Sequence, residues 1–200
     1  MKSRTPLLLT TFLVTCVSAP DRTRSAAPTS QAVKPFSPVV VAPGQGRATG
    51  YPGGHTSVLF QGQAGTDEIS VIDVMVPPHS LGAPPHLHHH EDEYFYVAEG
   101  EITVLIGTEE RTVSSGAYAA LPRELRHGYW NGTNTPAHVL ITIAPGRFAQ
   151  FFLDVAEDLK KRGEIEPQRI GAIIAEHAKQ YDCEVYLDQI APIAEHYKLQ

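Results

Sequence analysis

The feature that most constrains the fold is a series of short runs, between residues 56 and 144, that are rich in β-branched and aromatic side chains. Pro, Gly, Asn and Asp residues separate the runs and favour turns, whereas the branched and aromatic side chains favour strands. No internal repeat is visible, so this spacing predicts an all-β sandwich or barrel rather than a propeller. The predicted strands are residues 56–60, 68–76, 93–98, 102–106, 111–113, 117–121 and 138–144.

Two turn signals inside this region predict how neighbouring strands are connected. Glu99-Gly100 and Gly107-Thr108 each lie between consecutive predicted strands. A glycine beside a polar residue is a common hairpin turn, because glycine adopts the backbone angles that such turns require. Both pairs of strands are therefore expected to form hairpins.

After residue 145 the apolar residues repeat every three or four positions, which is the pattern of amphipathic helices. The first predicted helix carries an apolar stripe from Phe148 to Leu159 and ends at Gly163. The second begins at Pro167, since proline is well tolerated in a first helical turn. We expect this two-helix extension to pack on the outside of the β domain.

The first 19 residues have the pattern of a secretory signal peptide, with Lys2 and Arg4 ahead of an apolar stretch and small residues after it. The stretch, residues 7–17, is shorter than the roughly 20 residues that span a bilayer, so no transmembrane anchor is expected. Secretion or export to a periplasm is predicted. Residues 13–16 also resemble a lipoprotein box, so lipidation of Cys16 is an alternative fate.

Composition and length suggest one folded domain with flanking segments. The 200 residues suffice for a single core, and a formal net charge of −6 without a basic run argues against nucleic acid as a partner. Without residues 1–19 only Cys183 remains, so the core must hold the domain together without an intramolecular disulfide. The predicted organisation is a signal peptide at 1–19, a disordered linker at 20–38, a β domain at 39–145 and a helical extension at 146–200.

Histidines are concentrated around one segment, residues 84–93, which contains four of the chain's ten imidazoles and three carboxylates. On a strand His86 and His88 share one face and can reach one point, to which Glu93 can add a carboxylate after a short turn. One further ligand from a neighbouring strand would complete a mixed nitrogen and oxygen site. Such a site suits Fe, Mn, Ni, Cu, Co or Zn. The alternative interpretation is a solvated histidine run at a strand end.

The same segment resembles the first motif of the cupin superfamily, His-x-His followed by Glu and Gly at set spacings. The matching residues are His86, His88, Glu93 and Gly100. The second cupin motif has its counterpart further along the chain, at Gly116, Pro122, His127 and Asn131. The middle glycine of that motif is replaced by Glu124, so a different turn is expected before His127.

This resemblance covers roughly residues 39–144 and implies a small antiparallel β-barrel of the cupin, jelly-roll-like type. It also implies one divalent transition metal ion near the barrel mouth, bound by His86, His88, Glu93 and His127. Residues 91–101, together with a helical extension after a Pro-Gly turn, resemble the single-domain quercetin 2,3-dioxygenase-like group. A homodimer through strand edges is common in cupins and is an expectation here.

The resemblance implies a metal-dependent, dioxygenase-like oxidoreductase that acts on a small enolisable or phenolic compound, with O₂ as co-substrate. Glu93 is the candidate catalytic residue, since it is the carboxylate of the motif that can both bind the ion and accept a proton. The alternatives are a metal-dependent isomerase, epimerase or decarboxylase and a cupin that binds a small ligand or a metal without turnover.

Strand alternation predicts the roles of the residues around the expected ligands. His90 is expected to share the face of His86 and His88 and to support the site, and His89 to face solvent. Pocket-lining roles are considered for the neighbours of His127, namely Arg126, Tyr129 and Trp130.

Overall fold

The structure is a computed structural model that describes residues 38–62, 69–163 and 166–200. The predicted signal peptide, Cys16 and all but the last residue of the predicted linker lie outside these residues and stay predictions. Within the described ranges, no helix is long and apolar enough to cross a membrane.

The β domain consists of two antiparallel sheets. Its strands are β1 (Arg47–Ala48), β2 (His55–Gln61), β3 (Ser70–Val76), β4 (Ser80–His88), β5 (Asp92–Glu99), β6 (Glu101–Ile106), β7 (Glu109–Ser114), β8 (Tyr118–Leu121), β9 (His127–Asn131), β10 (Ala137–Ala144) and β11 (Cys183–Val185). One sheet has six strands in the order β1-β2-β3-β10-β5-β8, and the other has five in the order β11-β4-β9-β6-β7. The predicted all-β class is confirmed.

A shared core holds the two sheets together. In the six-stranded sheet Ile141 lies between Ile72 on β3 and Phe95 on β5, and all three side chains are buried. The Phe95 ring lies 5.1 Å from the ring of Tyr129 on β9, centroid to centroid, in the other sheet. Burying a side chain such as Phe95 contributes roughly 1.5–3 kcal/mol. Among the described strands the two sheets are not joined by backbone pairing, so the predicted barrel is an open pair of sheets and not a closed one.

One of the two predicted hairpins is wrong. Gly107-Thr108 joins β6 to β7, which pair with each other, but the turn at Gly100 joins β5 in one sheet to β6 in the other. Gly100 has a φ of 74°, and a Cβ there would lie 2.5 Å from the carbonyl oxygen of Pro136. A side chain is therefore excluded at Gly100. The Glu-Gly turn signal alone does not distinguish a crossing between two sheets from a hairpin within one sheet.

The strands β4 and β9 are not among the strands predicted from side-chain patterning, although His86 and His88 are expected to alternate on a strand. These two strands carry three of the four expected metal ligands. Pro84, Pro85 and Gly82 argue against a regular strand, because proline cannot donate to a ladder and glycine weakens it. The structure accommodates them with register shifts in the β4–β9 pairing on both sides of Ala83. A Cβ on Gly82 would lie 2.0 Å from the Tyr129 ring, so this glycine lets the ring lie against β4.

The C-terminal region contains three helices and a strand rather than two helices. The helices are α1 (Ala149–Arg162), α2 (Pro167–Gln180) and α3 (Ile190–Tyr197). Gly163 follows α1 and Pro167 begins α2, as the sequence predicts. Between α2 and α3 the chain forms β11, which pairs with β4 and aligns Cys183 with His88. The extension therefore adds a strand directly beside the histidine-bearing strand.

Candidate metal centre

Four side chains from three strands meet at one buried point. His86 and His88 lie on one face of β4, and β9 places His127 opposite His86 in the ladder. Glu93 comes from β5 in the other sheet. All four are buried, and one potential ligand atom from each lies within 4.8 Å of those of the others. The structure thus brings together all four residues that the cupin resemblance implies, and this group could hold a metal ion.

Glu93 lies between two of the imidazoles. One carboxylate oxygen, Oε2, is 3.3 Å from His127 Nε2, and the other, Oε1, is 3.4 Å from His88 Nε2. The rings of His86 and His127 are 4.4 Å apart between centroids, in an edge-to-face arrangement. The four groups are therefore close enough to share one ion without a change of backbone.

Backbone carbonyls fix the orientation of two imidazoles. Nδ1 of His86 lies 2.8 Å from the Pro84 carbonyl oxygen, and Nδ1 of His127 lies 2.8 Å from that of Leu125. A carbonyl only accepts hydrogen bonds, so both Nδ1 atoms carry the proton. The Nε2 lone pairs are then available as ligands, which is the arrangement found in metal-binding histidines.

The electrostatics favour the ligand-competent protonation states of His86 and Glu93. Burial, together with the neighbouring His127 and His88, lowers the pKa of His86 to about 3. Burial alone would raise the pKa of Glu93, but the contacts of its carboxylate with His127 and His88 outweigh burial and hold that pKa well below its usual value. At neutral pH His86 is neutral and Glu93 ionised, the forms that bind a metal.

The buried ring nitrogens of His88 lack hydrogen-bond partners among the described residues, and a bound cation would supply a partner for one of them. Nε2 and Nδ1 of His88 are buried and make no hydrogen bond of normal geometry with any residue that the structure describes. Burial lowers the pKa of His88, but contacts with Cys183, Glu91 and Glu93 outweigh this effect and raise it. Buried polar atoms rarely stay unpaired, and two carboxylates create a negative field that attracts a cation. Three imidazoles and one carboxylate fit a first-row transition ion.

Glu91 is a residue of the centre that the sequence did not single out. Its carboxylate is fully buried, with Oε2 3.5 Å from His88 Nδ1 and Oε1 3.3 Å from the Nε of Arg147. It therefore lies behind His88, on the side away from Glu93. The sequence signal for such a role is the position of Glu91 three residues after His88, at the start of the acidic run 91–93. That spacing does not reveal that the carboxylate is buried in a loop.

The adjacent histidines stay outside the centre. His90 pairs with Asp182 at 3.3 Å and its side chain is 55% exposed. The prediction that it shares the face of His86 and His88 is wrong, because β4 ends at His88 and strand alternation ends with it. His89 faces solvent and contacts the carboxylates of Glu124 and Glu184.

The turn before His127 keeps a glycine-like backbone in spite of its glutamate. Glu124 has a φ of 63°, in the left-handed region that favours glycine. Its backbone N–H donates a 2.8 Å hydrogen bond to the His88 carbonyl oxygen. This bond ties the loop that leads to His127 to the end of β4.

The C-terminal helices close over the centre instead of packing only on the outside. A small cavity of about 50 Å³ adjoins His86 and Glu93, and its other walls are mainly aromatic and aliphatic. The Phe148 ring lies 4.3 Å from that of His88, centroid to centroid. Among the three neighbours of His127, Tyr129 lines this cavity, whereas Trp130 packs near Tyr197 and Arg126 donates hydrogen bonds to the Gly107 carbonyl oxygen.

Comparison with known proteins supports the cupin superfamily. Residues 72–143 match the family described as Cupin domain. That segment runs from β3 to β10 and includes all four candidate ligands. No curated protein shows a significant match to this chain. The quercetin 2,3-dioxygenase-like group is not identified by these comparisons.

Several solved structures are similar to part of the chain. KdgF from Halomonas sp. is 22% identical, covers 50% of this chain and 84% of its own, and has a TM-score of 0.44. An RmlC-like cupin from Shewanella frigidimarina is 20% identical over 57% of this chain and 96% of its own, with a TM-score of 0.48. A cupin-superfamily sugar phosphate isomerase from Silicibacter pomeroyi is 26% identical over 48% of this chain and 62% of its own, with a TM-score of 0.41.

Proposed function

We propose that this cupin-domain protein is a metal-dependent enzyme for a small, uncharged, enolisable or phenolic compound, with dioxygenase chemistry like that of the quercetin 2,3-dioxygenase group. The observation that supports this most is the buried centre of three histidines and one glutamate beside an apolar, aromatic-walled cavity. Because a cupin fold hosts many reactions, the proposal depends on the site and not on the fold.

A bound transition ion would supply a Lewis acid and a template for the substrate and O₂. His86, His88 and His127 would hold it, and Glu93 would complete the set. Glu93 lines the cavity, where its carboxylate is placed to accept a proton from an acidic hydroxyl of the substrate. The surrounding Phe148 and Phe151 exclude water from the resulting anion.

The charge of the cavity wall favours an uncharged substrate. Among the described residues that line it, Glu93 is the one carboxylate and no Lys or Arg is present. A phosphorylated sugar would find no Lys or Arg among these described residues to pair with its phosphate. An aromatic or enolisable compound instead finds aromatic rings on several sides.

A second candidate is a cupin that captures a small ligand or a metal without turnover. The size of the cavity favours it, because about 50 Å³ beside the centre leaves little room for two reactants. Isomerase or decarboxylase chemistry, which needs no O₂, is compatible with the same ligand set. Turnover separates these cases, since a binding protein returns its ligand unchanged.

The first test is the metal content of untagged protein by plasma mass spectrometry. About one transition ion per chain is expected in the wild type, and much less in His127→Ala, because structural metal sites depend on their full ligand set. His89→Ala is the matched control, since it removes an exposed imidazole outside the centre. Equal metal content in all three proteins would overturn the assignment of the centre.

The second test is O₂ uptake with flavonols after separate loading with Fe, Mn, Ni, Cu, Co and Zn, because affinity alone does not identify the physiological ion. Uptake that requires one of these ions and is lost in Glu93→Gln with its metal still bound supports the enzyme. Metal-loaded protein that binds flavonols and returns them unchanged, without O₂ uptake, favours the non-catalytic candidate.

A further inference from the structure

A second, larger cleft lies between the β domain and the C-terminal helices. Its volume is about 600 Å³, within the roughly 300–1,000 Å³ that is typical of small-molecule pockets. One wall includes Leu81 and Pro84 of β4, and the other includes Ile170 and Ile174 of α2 and Ile190 of α3. We call it the outer cleft, and the cavity beside the metal centre the inner cavity.

The outer cleft and the inner cavity adjoin. Four residues line both of them: Tyr51, Gly82, Pro84 and Ile174. The inner cavity has about 50 Å³, whereas one water needs roughly 10–15 Å³ by the same kind of measure. It therefore admits only a few atoms, and the remainder of any larger molecule that reaches the centre must lie elsewhere.

The lining of the outer cleft defines what it can bind. No charged side chain is found among the described residues that line it, and polar side chains are few, including Ser80 and Gln200. Burying a charge or a sugar hydroxyl there without a partner costs several kcal/mol, while burying apolar surface is favourable. The chemistry thus selects an uncharged and mainly apolar molecule.

We propose that the outer cleft binds the apolar body of the substrate, whose oxygen-bearing end enters the inner cavity beside Glu93. The ligand is an uncharged, predominantly apolar organic molecule with its metal-binding oxygens at one end. The placement of the oxygen-bearing end beside Glu93 rests on the proposed function. Binding of the apolar body in the outer cleft does not, and it is tested separately. Tyr51, which packs against Phe152 at 5.2 Å between ring centroids, forms part of the shared wall.

The test fills the outer cleft from α2. Gly171 and Leu187 both line the cleft, and a Cβ on Gly171 would make only an ordinary 3.8 Å contact with Leu187, so Gly171→Phe adds a ring to the cleft wall. Ala172→Phe is the matched control, because it puts the same ring on the exposed side of the same helix. Leu187→Glu is a second variant that brings a charge to the wall at a partly exposed position.

The probe is N-phenyl-1-naphthylamine, an uncharged apolar fluorophore that brightens when it leaves water. Saturable binding is expected in the wild type and in Ala172→Phe, with Kd raised at least about tenfold in Gly171→Phe and in Leu187→Glu. Circular dichroism and metal content report whether each variant keeps its fold and its centre.

Unchanged probe affinity in folded Gly171→Phe and Leu187→Glu, or no saturable binding to the wild type, overturns the outer-cleft proposal. Its failure is distinguishable from failure of the proposed function. If flavonol turnover persists while the outer cleft fails the probe test, only the cleft assignment is wrong. If the probe binds as expected but no substrate turns over, the enzyme assignment is wrong and the apolar binding site stands.

Discussion

At the scale of single residues, the Glu91 carboxylate behind His88 bears on metal binding as much as the four candidate ligands do. Glu91 is fully buried, and its carboxylate oxygens lie 3.5 Å from Nδ1 of His88 and 3.3 Å from Nε of Arg147. A carboxylate behind a metal-binding imidazole orients the ring and makes it a stronger ligand. We therefore assign Glu91 a positioning role for His88.

We expect Glu91→Gln to weaken metal binding by about 10–100-fold, because the neutral amide orients His88 without strengthening it as a ligand. The measurement is a competition titration with a chromogenic chelator. Glu99→Gln, at an exposed glutamate at the end of β5, controls for the loss of one charge and should bind the metal like the wild type. Equal affinities in the two variants would show that Glu91 does not position His88.

A second prediction concerns the backbone at Glu124. A residue with a side chain is less stable by roughly 1–2 kcal/mol in the left-handed region than in the right-handed one, whereas glycine has no such penalty. Glu124→Gly should therefore be more stable than Glu124→Ala by about 1 kcal/mol. Both variants lose the same contact with His89, so urea unfolding of the pair isolates the backbone effect. Equal stabilities would mean that the loop relaxes to another conformation.

The sequence predicts residues of the centre when spacing determines their position, and fails when a loop does. His86 and His88 share a face because they alternate on a strand, and the cupin spacing adds Glu93 and His127. His90 and Glu91 follow the end of β4, where alternation no longer applies. The conformation at Glu124 was also missed, because a left-handed glutamate is rare and depends on the hydrogen bond to the His88 carbonyl.

At the scale of elements, the packing of α1 against α2 includes a charged contact as well as apolar ones. Asp158 on α1 accepts hydrogen bonds from Arg162 on the same helix and contacts His177 of α2 at 3.0 Å. The hydrogen bond from Arg162, and then that from His177, lower the pKa of Asp158 to about 2. The folded state thus favours the ionised carboxylate.

This pKa shift predicts how the stability of an Asp158→Asn variant depends on pH. Because the folded pKa of Asp158 lies below its unfolded value of about 3.9, its contribution is complete above that value and is lost as pH falls towards 2. The wild type should be more stable than Asp158→Asn at pH 6, and the difference should shrink between pH 4 and pH 2. Denaturant unfolding at stepped pH values checks this. Glu157→Gln, which removes an exposed pair with Lys161, is the control, and a difference that stays constant with pH would refute the assignment.

Elements with a clear period were predicted well, and those with conflicting signals were not. The stripe from Phe148 to Leu159 and the stop at Gly163 define α1, and Pro167 defines the start of α2. The extent of β4 was not predicted beyond the alternation of His86 and His88, because Pro84 and Pro85 oppose a regular ladder and the register shifts that absorb them are invisible in the sequence. The three-residue strand β11 forms only because β4 offers it an edge.

At the scale of the whole molecule, the candidate centre lies where the two sheets and the C-terminal helices meet. Its imidazoles come from the five-stranded sheet, its carboxylate from the six-stranded sheet, and Phe148 covers it from the start of the helical region. The cavities beside it form between segments that are far apart in the chain. No local pattern predicts such a space, so the type of chemistry is predictable from the sequence but the shape of the pocket is not.

Because the ligands come from both sheets, a bound ion should stabilise the fold as a cross-link between them. Binding to the native state alone contributes about 4 kcal/mol at an ion concentration of about 1,000 times Kd, or roughly 8–16 °C in Tm for a domain of this size. Calorimetry should show this rise on metal addition and its reversal by a chelator. His88→Ala should lose the response, whereas His90→Ala, which changes an exposed histidine, should keep it. If Tm responds equally in His88→Ala, the ion binds outside the centre, and the two sheets are held together by the apolar core around Phe95 and Tyr129 alone.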